Sequence, residues 1–172
     1  MDSVLNELTA TPSLPWQVIV LRLFGAVFLC GLIGFERERR RRPAGLRTHM
    51  LVGLAAALYC LIMLETLNDS AHQADRISMD PLRLVNAVTS GVAFLAAGMI
   101  VFSQGKVRGL TTGTSLWLAA AVGLSAGFGM WLMAVFSTIL ALAIIRGVKI
   151  AEHKAGTTNK KRMGGGDAAT QD

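Results

Sequence analysis

The chain has 172 residues, of which 52% are hydrophobic and 16% charged, whereas soluble domains carry about a quarter charged residues. So low a charge content excludes an ordinary water-soluble globule, and the length allows one domain rather than several. The formal net charge is nonetheless +6, so the few charges must be concentrated somewhere. Cys30 and Cys60 fall inside apolar runs and read as small buried hydrophobes, not as a disulfide framework.

Residues 1–15 read as a short leading segment. Asp2 and Glu7 stand where a secretory signal peptide would carry basic residues, so the first helix is expected to be retained. Trp16–Phe35 is apolar apart from Gln17 and Arg22, and Thr48–Leu64 is apolar apart from His49. Asp80-Pro81 reads as an N-cap followed by proline at the first helical position. From Leu84 to Gly105 there is no charge, and as a helix that run spans about 33 Å, enough to cross a hydrocarbon core. Gly109–Ile145 is also uncharged but would be about 55 Å long as one helix. A break at Gly127-Phe128-Gly129 divides it into helices of about Thr112–Ala126 and Met130–Arg146. Thr111 and Thr112 can cap the first of these, which is short enough to need tilt or bilayer thinning. The expected fold is an all-α integral membrane protein: a bundle of five transmembrane helices over residues 16–147. A basic cytoplasmic tail, residues 148–172, is expected to be disordered from Ala155 on.

Five spans sort the charges. Arg37, Arg39, Arg40, Arg41, Arg42 and Arg47 follow helix one, Lys106 and Arg108 follow helix three, and the remaining cluster runs from Arg146 to Arg162. All three places fall on one side, which the positive-inside rule assigns to the cytoplasm. Asp2, Glu7, Glu65, Asp69, Asp75 and Asp80 fall on the other, so the N-terminus is expected to be periplasmic and the C-terminus cytoplasmic. Trp16 and Trp131 come at helix ends on the periplasmic side, as an aromatic belt would place them.

The arginine run is a positive-inside anchor that also attracts anionic lipid headgroups. A sharper reading takes Glu36, Arg37, Glu38, Arg47 and His49 as an ion-paired network fixing helices one and two. Nucleic acid is not an expected partner, because the basic run has no stacking aromatics and lies at a membrane surface. Arg22 sits about 9 Å beyond Trp16 along the first helix. A charge at that depth either snorkels to the headgroups or pairs inside the bundle, with Glu65 and Asp80 as the candidate partners. Asn86 needs a hydrogen-bond partner of its own. Gly31, Gly34, Gly91, Gly98, Gly109 and Gly113 are candidates for close helix packing, Gly109 and Gly113 at GxxxG spacing. Ordinary packing within the bundle is the preferred explanation of these small residues, ahead of a homo-oligomer interface.

There is no P-loop, HExxH, CxxC or GxSxG motif, and no enzymatic activity or cofactor is expected. His49, His72 and His153 fall in different segments, and Asp69, Asp75 and Asp80 make an acidic connection rather than a metal site.

Four strings in order resemble the MgtC/SapB family of bacterial inner-membrane proteins. They are Leu21-Arg22-Leu23 with Gly31–Glu38, then Pro43–His49, then Ser90–Gly98, and last Val107–Thr112 continuing through Ser115–Gly123. The resemblance adds Thr48, Arg108, Thr111 and Thr112 to the candidate functional residues. It implies a five-helix inner-membrane domain and a role in adaptation to magnesium limitation, acid stress and survival inside macrophages. It also implies a regulator that acts on another membrane complex, the ATP synthase being the named target. Ala93 and Ala96 replace two glycines of the family's third string. The chain looks like the short form lacking the soluble C-terminal domain.

Two functions compete. A regulator binding a membrane partner accounts for the small-residue faces and the missing catalytic motifs. A small ion transporter or channel would use Arg22, Asn86 and the Glu36–His49 cluster, with an anion path through Arg22 open to it.

Overall fold

The computed structural model describes residues 12–71, 80–103 and 106–163. Most of the leading segment, the acidic residue Asp75, His72 and the end of the tail lie outside the described residues, so the expectations placed on them have no counterpart here. Five helices occur among the described residues. They are α1 (Trp16–Arg39), α2 (Leu46–Ala71), α3 (Pro81–Met99), α4 (Leu110–Gly127) and α5 (Trp131–Met163). By length and composition α1, α2 over Leu46–Asn68 and α3 can each cross a membrane, and α5 carries a shorter apolar stretch, Trp131–Gly147.

Local chemistry sets most of these boundaries. Asp80 accepts a hydrogen bond from Leu82 N at 2.9 Å, with proline following at the first helical position. The apolar run expected to continue to Gly105 instead leaves the helix after Met99. Val101–Ser103 (β1) pairs antiparallel with Lys106–Arg108 (β2), Val101 opposite Arg108 and Phe102 opposite Val107. Ile100, Val101, Phe102 and Val107 are β-branched or aromatic and suit an extended ribbon. Gly109, not a threonine, begins α4: its φ is +92°, and a Cβ there would overlap Met99 O. Thr111 and Thr112 therefore lie inside the helix. Gly129, at φ +78°, makes the turn between α4 and α5 at the expected break.

The chain divides at Thr138 into two units. In the first, α1, α2 and α4 pack on one another, and α3 lies chiefly against α4. The shared core is built from small groups: Ala26, Cys30, Ala56, Ala57, Cys60, Ala119 and Ala120, with Ile33, Leu116 and Val122 among them. Side chains this small let backbones approach, the usual basis of packing between membrane helices. At Gly123 a Cβ would overlap Gly53 O, and at Gly34 it would lie 2.8 Å from Leu46 Cα. The outward residues Phe24, Phe28 and Phe35 of α1 are exposed and apolar, as a lipid-facing surface requires. The second unit, from Ile139, continues as helix to Met163, where disorder was expected from Ala155. Its Ala, Lys, Arg and Glu content and lack of proline make helix the favoured backbone state.

Candidate functional site

Polar side chains collect at the two ends of α1, and each end is organised differently. At the first, Arg22 Nη1 donates to Gly127 O at 2.8 Å, a carbonyl 105 positions away at the end of α4. The last carbonyls of a helix lack intrahelical donors and carry partial negative charge, so a guanidinium there satisfies both. Gly129 lies against the same group, since a Cβ on it would stand 2.8 Å from Arg22 Nη2. Trp131, opening α5, covers Gly25 one turn further along α1. Glu65 and Asp80 are not Arg22's partners. Glu65 accepts from the hydroxyl and backbone N–H of Ser13, while Asp80 caps α3. Asn68 Nδ2 donates to the same Ser13 hydroxyl at 2.9 Å.

At the other end α1 stops in a Schellman-type turn. Arg41 N donates to Glu38 O at 2.8 Å and Arg42 N to Arg37 O at 3.2 Å, the pattern that closes a helix C-terminus. The residue in the left-handed region is Arg41, at φ +50°, where glycine is the common choice. Glu38 accepts from Leu46 N at 2.6 Å and so holds the free N-terminus of α2. Glu36, buried, accepts from both Nε and Nη2 of Arg40 at 2.8 Å. Arg39 lies over the Phe35 ring at 6.0 Å.

His49 is fully buried one turn into α2. Its Nδ1 donates to Gly45 O at 2.8 Å, and its Nε2 stands 3.1 Å from Ser115 Oγ on α4. The Ser115 hydroxyl, which lies 2.8 Å from Thr112 O as well, can turn its one proton to either acceptor. The ring therefore links the start of α2 to α4, and the space it needs on α1 is supplied by Gly34, where a Cβ would lie 2.9 Å from His49 Cβ.

The structure thus brings Glu36, Arg37, Glu38 and His49 to the junction of α1 and α2, with Thr112 and Ser115 reaching it from α4. Arg47, Arg108, Thr111 and Asn86 are exposed, and Thr48 is half-buried. Among the packing candidates, a Cβ on Gly113 would lie 3.2 Å from Ala96 Cβ, a tight fit, and one on Gly31 would make ordinary contact with Met50. A Cβ on Gly91 or Gly98 would meet nothing within 4 Å among the described residues, and α3 buries none of its residues within this chain. Among the described residues no cluster of three or more His, Cys, Asp or Glu side chains could hold a metal ion. Sequence reasoning missed Gly127 and Gly129 as Arg22's surroundings, and Ser115 as the partner of His49. Only the serine, in the last of the four strings, carried any signal.

The profile of the MgtC family matches residues 23–154. The chain is 42% identical to the protein MgtC of Brucella abortus (strain 2308) over 123 residues, covering 71% of this chain and 48% of that one. It is 35% identical to YhiD of Escherichia coli K12, whose name describes a candidate magnesium transporter, over 126 residues, 73% of this chain and 58% of YhiD. It is 33% identical to the protein SrpB of Synechococcus elongatus over 146 residues, 80% of this chain and 79% of SrpB. The chain therefore spans little more than half the length of YhiD. No solved structure matches it.

Proposed function

From the premise that this chain belongs to the MgtC family, we propose that it is a five-span regulator of the bacterial inner membrane. The N-terminus is periplasmic and the C-terminus cytoplasmic. In this reading α4 and the apolar part of α5 cross the membrane beside the three long helices, and the arginine-rich connection after α1 supports the orientation through the positive-inside rule. The protein acts without enzymatic chemistry, in adaptation to magnesium limitation or acid stress, by contacting another membrane complex, with the ATP synthase as first candidate.

One observation carries this reading: three polar side chains, only His49 of them buried, each reach a helix end or a second helix. Arg22 holds α4, Glu38 holds α2, and His49 ties α2 to α4. Groups engaged in this way stabilise one helix arrangement, which suits a surface presented to a partner. Helix α3 offers such a surface, with Leu82 and Phe94 standing outward.

The name of YhiD favours a second reading, an ion carrier. Reconstitution of the pure protein into liposomes with an internal magnesium indicator separates the two. Regulation requires no magnesium or chloride flux above protein-free vesicles, and cross-linking in native membranes should then trap one defined complex. Flux that disappears in Arg22→Ala would replace regulation with transport.

A further inference from the structure

Arg37 is 2% exposed, and its Nε and Nη2 have no hydrogen-bond partner among the described residues. These two nitrogens form one edge of the guanidinium, the edge whose parallel N–H bonds take a carboxylate or phosphate bidentately. A buried charge with unsatisfied donors is strongly disfavoured unless something compensates it. The neighbouring carboxylates are engaged elsewhere: Glu36 accepts from Arg40, and Glu38 accepts from Leu46 N. Arg40 and Arg42 meanwhile act on Arg37 with charge of the same sign. The missing counterpart is therefore an anion, and one with several oxygens, since a single arginine edge already needs two.

We propose that the Nε/Nη2 edge of Arg37, backed by Arg40 and Arg42, is a binding site for a phosphate group at the end of α1. Arg37 stands about 31 Å beyond Trp16 along the helix, close to the thickness of a hydrocarbon core, so it meets the layer where phospholipid phosphates lie. The edge is closed off from solvent. Both a lipid headgroup and free phosphate have the required chemistry. The site does not depend on whether the protein regulates or transports.

The test uses the full chain purified and delipidated in a maltoside detergent, whose headgroup carries no phosphate, in phosphate-free buffer. Native mass spectrometry and thermal unfolding are followed as phosphatidylglycerol or inorganic phosphate is added. Saturable binding is expected for the wild type. Stabilisation by phosphatidylglycerol alone identifies a lipid headgroup, and stabilisation by inorganic phosphate as well identifies the phosphate group itself; either supports the site. Arg37→Lys keeps the charge but loses the fork, and should weaken binding about tenfold. Arg41→Ala removes an exposed neighbouring charge and should leave affinity within about twofold, because an exposed charge is screened. Equal losses in the two variants, or no loss in Arg37→Lys, would overturn the proposal in favour of diffuse electrostatic attraction. Absence of saturable binding to the wild type would overturn it without any variant.

Discussion

Arg22 and Arg37 lie on the same helix, near its two ends, yet their surroundings are opposite. Arg22 donates to Gly127 O and lies against Gly129, so its charge meets the negative end of α4. Arg37 is the more deeply buried, and one whole edge of its guanidinium is unsatisfied. Burial alone therefore does not make an arginine structural. What decides is how far the protein supplies acceptors for its donors: Arg22 finds one for Nη1, though none for Nε, whereas the Nε/Nη2 edge of Arg37 finds none among the described residues.

That contrast can be broken by substitution. The largest effect is expected for Arg22→Met, which removes a charged hydrogen bond and the interaction with the α4 terminus; the loss should be about 2 to 3 kcal/mol, read as a lowered unfolding temperature. Gly129→Ala attacks the same contact from the other side. It adds a Cβ where φ is +78° and where Arg22 Nη2 stands, and should cost about 1 to 2 kcal/mol in the same measurement. At the other end the signs change. Arg41→Gly relieves a left-handed residue and should stabilise by about 0.5 to 1 kcal/mol in thermal unfolding. Smallest of all, Arg37→Met exchanges an uncompensated buried charge for an apolar side chain of similar length. In phosphate-free detergent its stability should be unchanged or slightly higher.

A second contrast, between α3 and α4, sharpens the first. Gly123 of α4 meets the backbone of Gly53, whereas Gly91 of α3 meets nothing within 4 Å. Gly123→Ala should therefore destabilise by about 1 to 3 kcal/mol, as overpacking does. Gly91→Ala should be neutral or stabilise by up to about 1 kcal/mol through helix propensity. A glycine in a membrane helix is thus not evidence of close packing by itself.

Features set by neighbouring residues were legible in the sequence. The Asp80-Pro81 start of α3 and the glycine break after α4 are local chemistry, and both stand where the sequence puts them. The end of α3 was not legible from charge, because an uncharged run extends through the ribbon and only the β-branched residues mark the change. Glu36, Arg37, Glu38 and His49 could be nominated together since they flank one short connection. Their partners could not, because Ser115 and Gly127 become neighbours of His49 and Arg22 only when α4 packs against α1 and α2. A backbone carbonyl such as Gly127 O carries no sequence signature at all, so a search among acidic residues pointed Arg22 to Glu65 and Asp80.

The most direct test compares Arg22→Met and Arg37→Met, delipidated in a maltoside detergent and phosphate-free buffer, by thermal unfolding. The expected result is a clear fall in unfolding temperature for Arg22→Met and none for Arg37→Met. A fall for Arg37→Met equal to or larger than that for Arg22→Met would contradict the assignment of one arginine to the fold and the other to a ligand.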